Sequence, residues 1–410
     1  MFHGWRIAAA GAGITFLQAA LLLHAFGAYV AVLSVEHGWS KTALAGGAAI
    51  QSIEGAVLGP ALGWVVDRFG PRAMVQSGVL LLSAGFVLLG SIDTVSGFYG
   101  AMVVIAIGGS FSGYFPLSIA IMHWFEKRRA RALSVMGGGM AIGGFAVPLV
   151  GHAMQTYGSR PVAYASAALI LLVGYPLALL VRRSPQEMGQ AVDGEPAPAG
   201  AAAAPGAAEV ADAPRAGFTA RDALRTRAFW MIGLGHGFAL LVVSSVNVHA
   251  ISHMKEGLGY TIAQGAFVIS LMTASQGIGV VLGGLVGDRW DKRFIASCCM
   301  LAHMVGLLML TYAVNLPMLV VFAVTHGVAW GLRGPLMQAI RADYFGLREI
   351  GMIMGLSAIL VAVGQITGPL LAGLLADTTG NYRLGFTILA LTAGCGSVLF
   401  LLARKPQAAG

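Results

Sequence analysis

Charge is what this sequence has least of. Only 10% of its 410 residues are Asp, Glu, Lys or Arg, while 57% are hydrophobic; soluble domains carry roughly 25% charged residues. A water-soluble domain is therefore excluded over any long stretch. Cysteine is scarcer still. Cys298, Cys299 and Cys395 all lie in apolar segments and the first two are adjacent, so they form no disulfide or zinc framework. Also missing are an ATP-binding phosphate loop, a convergent nucleophile–base set and a His-Glu-x-x-His metal motif. No catalytic residue, metal or cofactor is expected.

Apolar length is what the chain has in abundance. Runs of about 20 residues, enough to cross a hydrocarbon core, recur from end to end, and 58 glycines suit helices that pack closely in lipid. Twelve spans are predicted near 6–33, 41–66, 73–90, 95–124, 131–155, 162–181, 228–254, 261–287, 294–312, 316–343, 350–376 and 382–403. The opening MFHGWRIAAAG is followed by no small-residue cleavage site with a polar mature start, and reads as an uncleaved first helix. Between the halves, DGEPAPAGAAAAPGAAEVADAP is Ala/Pro/Gly-rich and low in complexity, as in a disordered linker. The predicted fold class is an all-α membrane protein, with twelve transmembrane helices in two pseudo-symmetric six-helix bundles. The first bundle covers 1–181 and the second 228–403, joined by a partly disordered linker at 182–227 and followed by a tail at 404–410.

Lysine and arginine fix an orientation. Twenty of them fall in the termini, the linker and the loops on the linker side, among them Arg341; the opposite face has only Lys41, Arg160, Lys255 and Arg383. That imbalance predicts cytoplasmic termini and linker. It also explains the formal charge of +8 without nucleic acid, since the basic residues are spread over short loops.

GWVVDRFGPR at 63–72 returns as GLVGDRWDKR at 284–293, with Asp67 and Asp288 separated by 221 residues. Pro148 and Pro369, Phe125 and Phe345, and Pro116 and Pro335 keep nearly the same offset. Such a parallel duplication predicts a binding site at the interface of the halves, near the midplane. The pattern G-x-x-x-D-R-x-G-x-R after the second span resembles the signature loop of the major facilitator superfamily, and the second copy resembles its weaker echo. Within that superfamily, GWRI, VEHGWSKTAL, WFEKRRARALSVMGGGMAIGG, RRSPQEMGQAVDG, LRTRAFWMIGLGHGFAL and RGPLMQAIRADYFGLREIGMIMG look like bacterial relatives of monocarboxylate transporters, including oxalate/formate-type exchangers. The resemblance implies gating loops built from Gly63, Asp67, Arg68, Gly70 and Arg72, and from Gly284, Asp288, Arg289 and Arg293. The aspartates would accept hydrogen bonds from a facing helix N-terminus, and the arginines would pair with carboxylates or helix C-termini. In the superfamily these contacts latch the cytoplasmic face in the outward-open state. The plain alternative is a charged loop that only sets topology.

Two charges lie well inside the predicted spans, Glu54 and Arg333. Either would cost at least about 2.5 kcal/mol facing lipid. Arg333, within GLRGP, is the expected counter-ion for a carboxylate; a structural ion pair with Glu54 is the competing reading. Glu54 is expected to carry a proton or to form such a pair. Tyr114 and Phe115 stand opposite Arg333 under the duplication, Tyr29 and Gln276 face the same region by depth, and His249, toward the outer half of the seventh span, is expected to line the cavity or relay a proton. His24, His236, His303 and His326 are expected to be packing residues. GGGMAIGG is expected to pack closely at the gate between halves. One departure from lactate carriers is the eighth span, AFVISLMTASQGIGVVLGG, which lacks the Arg they tend to place there.

The sequence thus predicts a monomeric secondary transporter in a bacterial inner membrane. It would move a small organic anion by alternating access, coupled to protons or to exchange. The alternatives are an exporter of drugs or neutral solutes and, less favoured, a transporter-like sensor.

Overall fold

The computed structural model describes residues 2–407 apart from His24, Ser40 and 196–216. The low-complexity middle of the linker and one of the span histidines thus lie outside the described residues. Long apolar runs become helices because lipid offers a backbone no hydrogen-bonding partner, so each segment must satisfy its own. The helices are α1 (His3–His37), α2 and α3 (41–69 and 71–89), α4 (Val95–Trp124), α5 (129–157), α6 (Ser159–Leu179), α7 (Arg227–Leu258), α8 (Ile262–Val286), α9 (Lys292–Thr311), α10 (Leu316–Phe345), α11 (Ile350–Thr379) and α12 (Arg383–Leu402). Their ends follow local chemistry. Thr94, Thr226, Thr261 and Asn315 accept a backbone N–H three residues on, and Gly38, Gly259 and Gly380 close α1, α7 and α11 in the left-handed conformation.

Among the described residues, ten helices are long and apolar enough to cross a membrane. Counting the bent pair Arg129–Ala146 and Leu149–Tyr157, which meet at 42°, as one span makes eleven. The helix Lys41–Leu89 runs through the predicted boundary between the second and third spans. Gly70 there has φ 82° and ψ 159°, so the chain changes direction at one residue, with Pro71 opening α3.

The chain divides into two units. The first is Met1–Arg215 with Ile350–Gly355, and the second is Ala216–Glu349 with Leu356–Gly410. In the first, two glycines of the glycine-rich run of α5 pack on α1 of the same unit. Gly139 lies against the Ala12 carbonyl, and a Cβ on Gly143 would sit 2.6 Å from that of Ala19. In the second unit α10 lies on α8 with Gly331 against the Gln276 carbonyl, and α9 meets α12 through Ser297 and Ser397, whose hydroxyl oxygens are 2.6 Å apart.

Folded structure reaches into the predicted linker from both sides. Asp193, buried and at φ 60°, accepts the backbone N–H groups of Glu126, Lys127 and Arg128 at 3.1, 2.8 and 3.3 Å. Lys127 also pairs with Glu195 at 2.7 Å. On the other side, the Phe218 N–H donates to the Phe345 carbonyl at 2.8 Å and the Ala220 N–H to Glu349 at 2.7 Å.

Candidate functional site

Two guanidinium groups are buried in α10 of the second unit, and their surroundings differ. Arg341 is 4% exposed and well supplied with partners: it donates to the Met337 carbonyl at 2.6 Å, to Ser357 Oγ at 2.6 and 3.1 Å, and to His236 Nδ1 at 3.2 Å. Arg333 is 1% exposed, and its Nε and Nη1 have no partner. No carboxylate pairs with it among the described residues of its unit. A buried charge with unmet donors is costly unless something completes it. Arg341 thus has its donors met within the fold, whereas Arg333 does not. The sequence count placed Arg341 in a loop because it stands one turn from the helix end, where loop arginines collect; its burial is a correction.

Around Arg333 the second unit gathers imidazoles. His236, His303 and His326, with Cys299 and Arg341, lie in its neighbourhood. His303 Nδ1 and His326 Nδ1 are 3.1 Å apart, with ring centroids 4.5 Å apart at 66°. The sequence treated these two as separate packing residues, since α9 and α10 carry one each, 23 residues apart. Gln276 belongs to this neighbourhood through its carbonyl, which abuts Gly331 two residues before Arg333. His249 is engaged elsewhere, its Nε2 lying 3.0 Å from the Pro369 carbonyl and its ring 5.2 Å from that of Tyr382.

The first unit holds the other predicted residues. Glu54 on α2 accepts from Ser110 Oγ of α4 at 2.7 Å through Oε2, while Oε1 has no partner. Tyr114 opens the second part of α4 after a break at Gly113, and it and Phe115 are half-buried. Tyr29 is 2% exposed and packs against Phe86 of α3, with centroids 6.3 Å apart.

The hinges show how one sequence pattern meets two environments. Asp67 Oδ1 accepts the Gly351 N–H at 3.0 Å, and Oδ2 accepts that of Met352 at 2.8 Å. Both lie in the first turn of α11, where the helix dipole favours an anion. Gly63 touches the Gly351 carbonyl where a Cβ would collide, and Gly355 meets Gly59 in the same way. Arg68 and Arg72 are exposed, as is Arg289. The pairing expected for these three is not found among the described residues. In the second hinge Gly284 is buried and Asp288 half-buried. Arg293 donates to Asp291 beside it, from Nη2 at 2.6 Å and Nε at 3.0 Å. Asp291 caps α9 by accepting the Arg293 N–H at 2.9 Å. The Arg293 guanidinium, opposed by partial burial and helped by that N–H, holds the Asp291 carboxyl below the usual carboxylate range.

Helices this long and apolar, stacked in two units with matching hinges, make the chain a multi-pass membrane protein. The sequence profile of the Major Facilitator Superfamily matches residues 8–251 and 232–410, and the chain belongs to that superfamily. It is 26% identical over 411 residues to Monocarboxylate transporter 13 of Rattus norvegicus, covering 97% of this chain and 89% of the relative. It is 24% identical over 354 residues to the Fujikurins efflux protein of Gibberella fujikuroi, covering 85% and 70%. Among solved structures, the human organic anion transporter MFSD10 (TETRAN) shares the fold with a TM-score of 0.71 at 15% identity, over 97% of this chain and 99% of that one. The two sequence relatives are mammalian and fungal, and lend nothing to the expectation of a bacterial membrane.

Proposed function

We propose that this protein is a secondary transporter for a small organic anion of monocarboxylate type, working by alternating access and driven by protons or by exchange. The observation that carries the proposal is Arg333, fully buried, with Nε and Nη1 unpartnered. A planar carboxylate takes two parallel hydrogen bonds from one edge of a guanidinium, Nε with Nη2 or Nη1 with Nη2, and each unpartnered donor is half of such an edge. The similarity to a monocarboxylate transporter supports the substrate class. Glu54, with one carboxylate oxygen unpartnered, is the proton carrier assigned to the first unit. The Asp67 contact with the N-terminus of α11 supports a latching role for the first hinge. The imbalance of basic residues supports cytoplasmic termini.

A second reading, export of drugs or neutral solutes, is favoured by two observations: α8 carries no charge, and a fungal efflux protein is among the relatives. Ligand binding to purified Arg333→Gln separates the two. The variant should lose roughly ten- to a hundredfold in affinity for a carboxylate, the equivalent of one charge-assisted hydrogen bond, and little for the neutral amide analogue. Arg333→Lys should recover only part of the loss, because the fork is missing. Equal weakening for acid and amide in folded protein would favour the exporter.

A further inference from the structure

The His303–His326 pair is not used by the reading above. Both rings are fully buried, and their Nδ1 atoms are 3.1 Å apart. Two ring nitrogens at that distance share one proton, so one Nδ1 donates and the other accepts. In the neutral pair the donor ring therefore has a bare Nε2, and the acceptor ring carries an N–H on its own Nε2. Neither Nε2 has a partner. The pair thus has one vacant basic nitrogen. A proton arriving from water at that nitrogen converts the donor ring to imidazolium and leaves the Nδ1–H···Nδ1 bond intact. Nothing else in the pair must move.

The charge so created has few neighbours. Arg333 stands seven residues from His326 on α10, two turns along the same face, about 10 Å by helical rise. On α9 the buried group is Cys299; on α7 the buried His253 lies 3.1 Å from the Leu310 carbonyl near the end of α9, and the half-buried His236 is tied to Arg341. Among titratable side chains α8 has none, while α12 offers Arg383 at its start and Cys395, which is exposed. Arg333 is thus the fixed charge that the pair must share an interior with. Two positive charges there oppose each other, and an anion on Arg333 removes the opposition.

We propose that the His303–His326 pair is a one-proton site linked to the anion on Arg333: anion binding draws a proton onto the pair, and a proton on the pair tightens anion binding. The linkage is reciprocal by thermodynamic necessity. It rests on the Arg333 reading and deepens it, giving the second unit its own proton whether or not Glu54 moves another.

The test uses the purified full chain with ethanesulfonate, which stays ionised across the range, and neutral ethanesulfonamide. Wild type should bind ethanesulfonate on the order of tenfold more tightly at pH 5.5 than at pH 7.5, with proton uptake seen by an indicator dye in weak buffer. His303→Asn and His326→Asn keep an amide at the Nδ1 position. Each should still prefer sulfonate to sulfonamide but lose the pH dependence and the uptake. Should these variants not fold, 15N-histidine spectra of wild type decide. Nitrogen–nitrogen coupling across the shared proton identifies the two rings, and one of them should become imidazolium when ethanesulfonate is added at pH 6.5. An unchanged pH dependence in both variants, or rings that stay neutral, would overturn the proposal. Sulfonate bound no better than sulfonamide would overturn the Arg333 reading instead.

Discussion

At Gly70 the chain turns with φ 82° and enters α3 through Pro71; at Asp291, 221 residues on, it turns in an extended conformation and enters α9 under a carboxylate cap. The two stretches match residue for residue, so Gly70 answers to Asp291 and Pro71 to Lys292. The turn of the first hinge is made by backbone freedom at Gly70 and ring constraint at Pro71. The second is shaped by an Asp–Arg contact and by Lys292, which meets Asp343 at 2.9 Å. The same contrast runs through the interiors. The first unit keeps a carboxylate, Glu54, against a serine, whereas the second keeps two guanidinium groups and their imidazoles. Tyr114 and Arg333 stand at matching positions of α4 and α10, a neutral phenol against a fixed charge. A duplicated frame thus constrains where helices meet and leaves each half free to choose its polar chemistry.

Removing the carboxylate of the first unit tests the interior contrast most severely. In proteoliposomes, Glu54→Gln should abolish uphill accumulation of labelled carboxylate under a proton gradient and leave exchange running. It should also leave the pH dependence of ethanesulfonate affinity, which belongs to the second unit. Loss of exchange too, with poor folding, would make Glu54 a packing residue. Next in size is Asp67→Asn. Charge-assisted hydrogen bonds contribute about 1.5–3 kcal/mol, so transport should slow at least roughly tenfold while insertion and ligand binding survive. A normal rate would make the first hinge topological only.

Exchanging the turn chemistry gives smaller effects. Gly70→Ala forces a side chain into a backbone region open to glycine, at about 1–3 kcal/mol, read as a lower melting temperature in detergent. Asp291→Ala removes a cap worth about 1 kcal/mol. Because the Asp291 carboxyl is held below its ordinary value, the cap is fully present above that ordinary value and is lost as pH falls through the lowered one. The gap in melting temperature between wild type and Asp291→Ala should therefore hold from pH 8 to 5 and close only in stronger acid.

Much of this was legible in the residues. Apolar length and the repeated hinge specify the helices and the two halves, because lipid leaves a chain few other options. Arg333 and Asp67 stood out as charges whose setting demanded a partner or a role. Arg341 did not, since a basic residue near a helix end looks the same whether it turns inward or outward. The His303–His326 contact was invisible because it depends on how α9 rotates against α10, which no single-helix pattern encodes. Asp193 was hidden for another reason: three backbone donors, which leave no trace in side-chain identity, define its site.

The first unit is not contiguous in the chain, and this has a consequence for its synthesis. Asp67 is made early, but its two donors, Gly351 and Met352, lie 284 and 285 residues later. At about 5–20 residues per second, the ribosome takes roughly 15–60 s to supply them. For that interval a nascent first bundle holds its hinge carboxylate without the helix end that receives it in the finished protein. Any chain terminated before Ile350 would stay in that condition, a bundle with every one of its own spans and its fastening never delivered.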